Sequence, residues 1–107
     1  MSQWIEVSTL STLANGTYER FEFNDFDVLV FREDDLVYAI QDLCTHDGAE
    51  LCGGLYIDGE IECPRHGARF CIKTGQAVSA PAYGHVTTYP IRISPGGVIE
   101  LQLDNAF

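Results

Sequence analysis

Apolar residues recur along this chain in short bursts divided by turn residues, and no stretch sustains a 3.6-residue apolar period, so the pattern predicts an all-β protein. Strands are expected at Trp4 to Val7, Thr17 to Phe23, Phe26 to Phe31, Leu36 to Gln41, Leu55 to Ile57, Glu60 to Glu62, Arg69 to Ile72, Val86 to Ile93 and Val98 to Leu103. Thr17 to Phe23 alternates as a half-solvated strand should. Tyr18, Arg20 and Glu22 share one face and Glu19, Phe21 and Phe23 the other, with the aromatic side chains read as core. Asn24-Asp25 and Asp34-Asp35 mark turns, and Asp58-Gly59 between Tyr56-Ile57 and Glu60-Ile61 is a two-residue hairpin signal. That hairpin delivers Cys63.

A chain of 107 residues, 46% apolar and 21% charged, supports one hydrophobic core, so a single domain spanning 1–107 is expected. No linker, low-complexity tract or extended repeat interrupts it. Six Lys and Arg against sixteen Asp and Glu leave a net charge of -10, which repels phosphate backbones and anionic headgroups and argues against nucleic-acid or membrane partners. The opening Met-Ser-Gln-Trp-Ile-Glu has no basic stretch followed by an apolar run, and no segment approaches the roughly 18 apolar residues of a membrane span. A soluble cytoplasmic protein is the expectation. Its four cysteines are then better used for metal ligation than for disulfides.

Cys44-Thr45-His46 is followed, after sixteen intervening residues, by Cys63-Pro64-Arg65-His66. Each signature places a soft thiolate and an imidazole on one loop at the tip of a hairpin, and each is followed by a glycine, Gly48 or Gly67, that permits a sharp turn. Cys2His2 chemistry serves both zinc sites and two-iron, two-sulfur clusters of the Rieske type. Zinc modules favour like ligands paired on one knuckle, whereas here Cys and His are interleaved. That order suits an asymmetric cluster in which each loop contributes to both irons. A zinc-stapled interaction module is the alternative from another class. The two are separated by colour, since an iron–sulfur protein is red-brown and a zinc protein colourless.

With the flanks Leu43-Cys44-Thr45-His46, Glu62-Cys63-Pro64 and Lys73-Thr74-Gly75, the chain resembles a Rieske-type [2Fe-2S] ferredoxin over essentially its whole length, in particular the ferredoxin components of bacterial ring-hydroxylating dioxygenase systems. The resemblance implies an antiparallel β-sandwich with a small cluster-binding part of two loops, at about residues 43–83. It implies one Rieske-type [2Fe-2S] cluster, with Cys44 and Cys63 on the buried ferric iron and His46 and His66 on the outer iron that changes valence. Reduction would place a negative charge beside the two imidazoles and make the potential pH-dependent. Ala49 and Arg65 stand where high-potential relatives carry a second cysteine pair, and Ala68 and Phe70 where they carry a serine and a tyrosine that bond the cluster sulfurs. Fewer such bonds imply a potential at the low end of the Rieske range, on the order of -150 mV. Ser79-Ala80-Pro81-Ala82 resembles the proline-containing loop that covers the cluster in this family.

Other residues have plainer readings. Cys52 and Cys71 are expected to be small buried thiols, Cys71 inert on its strand, and His85 a surface or hydrogen-bonded residue. Arg65, Arg69 and Lys73, half of the basic residues, either pair with Asp47, Glu50 or Glu62 or meet carboxylates of a partner. After His46 and His66 are spent only His85 is left, so the chain lacks the second iron site of an oxygenase. It also lacks the dinucleotide-binding fingerprint of a reductase. The resemblance therefore implies a monomeric one-electron carrier, not an enzyme, between an NADH-dependent flavoprotein ferredoxin reductase and a terminal oxygenase. A Rieske-type subunit serving nitrite reduction or a cluster-assembly operon is the other redox reading.

Overall fold

Val28-Leu29-Val30-Phe31 is a continuous apolar run where a half-solvated strand would alternate, and it becomes a strand buried on both faces. A computed structural model describes residues 4–23, 26–44, 50–65, 67–79 and 84–102. The strands are β1 (Trp4–Thr9), β2 (Tyr18–Glu22), β3 (Asp27–Glu33), β4 (Leu36–Gln41), β5 (Tyr56–Ile57), β6 (Glu60–Glu62), β7 (Arg69–Cys71), β8 (Ile91–Ser94) and β9 (Val98–Gln102). They form three antiparallel three-stranded sheets, ordered β1-β9-β8, β2-β3-β4 and β5-β6-β7. The described residues include no helix, and none long and apolar enough to cross a membrane.

The middle sheet divides the interior in two. Leu29 and Phe31 of β3, with Ile40 of β4, face Cys44, Leu51, Ile61, Cys63, Ala68, Phe70, Ile72 and Val86. Val28 and Val30, with Ala39, face Leu13, Tyr89, Ile99 and Leu101 under the β1-β9-β8 sheet. Full burial of side chains of this size stabilises by about 1.5–3 kcal/mol each. Both cysteines of the paired signatures thus lie in one core, and the first and last strands close the other.

Local chemistry sets the turns. Asp58 and Gly59 take φ of 53° and 75°, the left-handed pair that a two-residue hairpin needs, and the pairing Tyr56↔Ile61 and Ile57↔Glu60 follows as expected. Asp34, at φ 56°, is held by Asn15, whose side chain donates to its carboxylate at 3.0 Å and accepts its amide at 2.7 Å. β4 and β6 run as the sequence predicts, while the ends of β1, β2, β3, β5 and β7 shift by one or two residues.

The strand expected at Val86 to Ile93 starts only at Ile91. Pro90 has no N–H to donate to a ladder, and the segment before it pairs with β4 irregularly. Gln41 N–H donates to the Thr87 carbonyl at 2.8 Å, Tyr89 N–H to the Ala39 carbonyl at 3.1 Å, and Ile40 and Thr88 form an isolated bridge. Leu103, at the end of the last expected strand, lies outside the described residues, as do Asn24 and Asp25.

Candidate metal centre

Cys44 follows β4 by three residues, and Cys63 directly follows β6. Each strand carries its cysteine inward: Cys44 is 0% and Cys63 1% exposed. Cys63 sits on a closed turn, its N–H donating to the Ala68 carbonyl at 2.7 Å and its carbonyl accepting the Gly67 N–H at 3.0 Å. Gly67 makes that turn at φ 74°, a conformation that costs an L side chain strain. Pro64, Arg65 and Gly67 are exposed, so this loop buries its sulfur and leaves its crest in solvent.

Two glycines allow close backbone approaches next to Cys63 and at Val86. A methyl group at Gly54 would run into the Glu62 carbonyl oxygen, so only glycine lets the segment after the first loop pass against the strand that delivers Cys63. At Gly75, φ 77°, a methyl group would strike the Val86 carbonyl oxygen, and the Val86 N–H donates to the Gly75 carbonyl at 2.8 Å. That contact closes residues 76–85, which include Ser79-Ala80-Pro81-Ala82. Ser79 Oγ accepts the Arg69 N–H at 3.0 Å, and residues 80–83 lie outside the described residues.

His46, Thr45, Asp47, Gly48 and Ala49 of the first signature and His66 of the second also lie outside the described residues. What is described fits a soft metal centre. Two sulfurs withdrawn from water sit in one apolar cluster with Leu51, Ile61, Ala68, Phe70 and Ile72. As thiolates in such surroundings they require a cation close by. Ala68 and Phe70 are both fully buried in that cluster and bring no hydroxyl to it.

The remaining candidates divide. His85 is exposed, in keeping with its surface reading. Cys52 and Cys71 are half-buried and not sealed in the core as expected, because Cys52 lies in a turn and Cys71 ends β7 beside an open cleft. Burial pushes the Cys52 thiol up, with Asp42 adding to the rise. At Cys71, burial raises the thiol but is outweighed by the Thr74 hydroxyl and the Thr74 and Lys73 amides, so its pKa is lowered. Arg69 pairs with Glu60 at 3.5 Å, while Glu50 pairs with Arg20 at 3.3 Å. Lys73 stands over the Tyr38 ring, 5.7 Å from its centre. Sequence reading placed Arg20 on a strand face but missed its pairing with Asp42. Arg20 Nε lies 3.2 Å from Asp42 Oδ2 across 22 residues, and no local pattern marks such a pair.

The described residues define an all-β class with two buried sulfurs in one core, one of them beneath an exposed loop crest. Residues 3–90 match the Rieske [2Fe-2S] domain. The naphthalene 1,2-dioxygenase ferredoxin component of Pseudomonas putida is 36% identical over 92 residues, covering 85% of this chain and 88% of its own. The ferredoxin of carbazole 1,9a-dioxygenase from Nocardioides aromaticivorans IC177 superposes with a TM-score of 0.87 at 35% identity, over 94% of this chain and 97% of its own. A second match, in the complex of reduced oxygenase and oxidized ferredoxin of carbazole 1,9a-dioxygenase, has a TM-score of 0.84 at 31% identity and covers 92% of each chain. The chain belongs to the Rieske [2Fe-2S] domain family. It carries one cluster of that type and acts as an electron-transfer component and not as the catalyst.

Proposed function

We propose that this chain is the ferredoxin component of a ring-hydroxylating oxygenase system, accepting electrons one at a time from an NADH-dependent flavoprotein reductase and passing them to a terminal oxygenase. Cys44 and Cys63 ligate one iron of the cluster and His46 and His66 the other, within a cluster-binding part at about residues 43–83 of a single domain spanning 1–107. The observation that carries this reading is the sealing of both cysteines in one core beneath the exposed crest of the second loop. When bound, the cluster supplies a one-electron redox couple.

The chain's own residues supply the rest. Leu51, Ile61, Phe70 and Ile72 exclude water from the two sulfurs. Gly54 lets the chain after the first loop pass against Glu62, next to Cys63, and Gly75 lets it pass against Val86. Buried Ala68 and Phe70 contribute no hydroxyl donor to the sulfurs, which supports a low potential. The net charge of -10 favours encounter with partners that present basic surfaces. The protein works as a soluble monomer in the cytoplasm.

The test is reconstitution. Purified red-brown protein, mixed with such a reductase and oxygenase, is expected to make NADH consumption and oxygenated product depend on its concentration. Oxygenase turnover that is unchanged by the chain across a panel of such systems overturns the partner assignment. Cys44→Ala or His66→Ala protein that keeps the wild-type reduced-state electron paramagnetic resonance spectrum overturns the ligand assignment.

A further inference from the structure

The first ligand loop leaves β4 at Asp42 and rejoins the core at Leu51, and among the described residues one buried carboxylate links its two ends. The Asp42 side chain is 0% exposed. Its Oδ1 accepts the Leu51 N–H at 2.5 Å and the Cys52 N–H at 2.9 Å, spanning the loop from the entry side to the exit side. Its own N–H donates to the Asp27 carbonyl at 2.8 Å, which anchors it to β3. Oδ2 takes no hydrogen bond among the described residues and faces Arg20 Nε at 3.2 Å as an ion pair. A carboxylate is kept in such a place only where a counter-ion and hydrogen bonds offset its lost hydration.

Arg20 extends the clamp. Its Nη2 donates to Asp27 Oδ2 at 2.6 Å and to Glu50 Oε1, the last loop residue before Leu51, at 3.3 Å. Tyr18 lies two residues earlier on the same face of β2. Its hydroxyl accepts the Gly53 N–H at 3.0 Å and donates to the Gly54 carbonyl at 2.8 Å. One strand face and one carboxylate thus fix Glu50 through Gly54, the exit limb of the loop whose entry limb bears Cys44.

We propose that Asp42, with Arg20 as its counter-ion, is a positioning residue for the cluster: it closes the first ligand loop and so fixes the loop's donors in their redox-active geometry. This rests on the assignment of Cys44 and His46 as ligands. Asp42 is two residues from Cys44, so the two Cα atoms are within about 7 Å of each other. A charge there lies inside the field of the redox centre. Removing the negative partner stabilises the reduced state, and removing the positive one destabilises it.

The experiment uses cluster-loaded protein with Asp42→Asn, Asp42→Ala, Arg20→Met and Arg20→Lys. It reads midpoint potential, reduced-state paramagnetic resonance spectrum, iron release to a chelator and melting temperature. Asp42→Asn keeps an oxygen for both N–H groups and is expected to hold the wild-type spectrum while raising the potential. Arg20→Met is expected to lower the potential, and Arg20→Lys to return it close to wild type. Asp42→Ala strands two loop amides and is expected to broaden the spectrum and release iron about tenfold to a hundredfold faster. Should Asp42→Ala yield no folded protein, the opposed shifts of Asp42→Asn and Arg20→Met still decide. A lower melting temperature with unchanged spectrum and potential in all four variants overturns the proposal, as do shifts of the same sign in Asp42→Asn and Arg20→Met. Cys44→Ala separates the two levels: a retained wild-type cluster there defeats the ligand assignment itself, whereas its loss there with inert Asp42 and Arg20 variants defeats only the clamp.

Discussion

A thiol's reactivity follows its immediate neighbours, and Cys52 and Cys71 illustrate how far this departs from what spacing in a sequence conveys. Neither has a histidine close by in the chain, and each is half-buried. Burial, with Asp42 close by, holds the Cys52 proton on. At Cys71 burial acts the same way, but the Thr74 hydroxyl, two backbone amides and the Lys73 ammonium favour the thiolate more. Cys71 also lines an open cleft with Glu33, Asp58, Gly59, Glu60 and Lys73, so a small reagent reaches it. With iodoacetamide near neutral pH, cluster-loaded protein is expected to lose Cys71 about threefold to tenfold faster than Cys52. A time course of peptide mass spectra measures this, and equal rates would remove the hydrogen-bond explanation.

At the scale of elements, the two cores on either side of β3 are expected to fail differently. Ile61 lies in β6 beside the sulfurs, Ile99 in β9 beneath the other sheet, and both are 0% exposed. Truncation to alanine costs about 2–5 kcal/mol at either site. Ile61→Ala is expected to accelerate iron release well below the melting temperature, whereas Ile99→Ala lowers the melting temperature with little change in release. Equal acceleration by both would show that the two cores act as one.

The same elements mark how much was legible beforehand. The Phe26 to Phe31 strand and the Asp58-Gly59 turn were legible because a short apolar run and left-handed φ values each demand particular residues locally, although burial of Val28 to Phe31 on both faces was not foreseen. Type and short spacing singled out Cys44 and Cys63, and both are buried in one core. The Val86 to Ile93 segment misled because its alternation is real but its pairing is broken by Pro90. The Asp42–Arg20 pair and the Tyr18 contact to Gly54 were invisible, since nothing in a strand's own pattern records what its exposed-looking face will cover.

For the molecule as a whole, the alkaline limit of stability follows from its buried phenols. Burial pushes Tyr89, 5% exposed and stacked on Phe26, up to about 12. Tyr18 is raised by burial too, and Tyr56 by burial and its 2.8 Å bond to the Glu33 carboxylate. Because the folded values exceed the unfolded value near 10, the unfolded chain gives up these protons first. The stabilising contribution is therefore whole below about pH 10 and is lost as pH climbs toward the folded values. For Tyr89 alone the loss is on the order of 2 kcal/mol. Denaturant melts followed by circular dichroism should be steady up to about pH 9 and weaken by about pH 11; a midpoint unchanged over that interval would contradict the assignment.

The irregular pairing of β4 with residues 87–89 reaches further than the placement of one strand. Gln41 N–H meets the Thr87 carbonyl, and Ile40 bridges Thr88, so the chain departs for its excursion through residues 42–87 and comes home to the place it left. To the framework of β1–β4, β8 and β9, that whole excursion behaves as a plug-in cartridge with adjoining terminals. Doubling the length of a flexible loop within it costs only about 0.6 kcal/mol in closure entropy. Flexible stretches of the cartridge can therefore lengthen with the framework left as it is, whereas its packed part must keep matching Leu29, Phe31 and Ile40 beneath it and Tyr18 and Arg20 beside it.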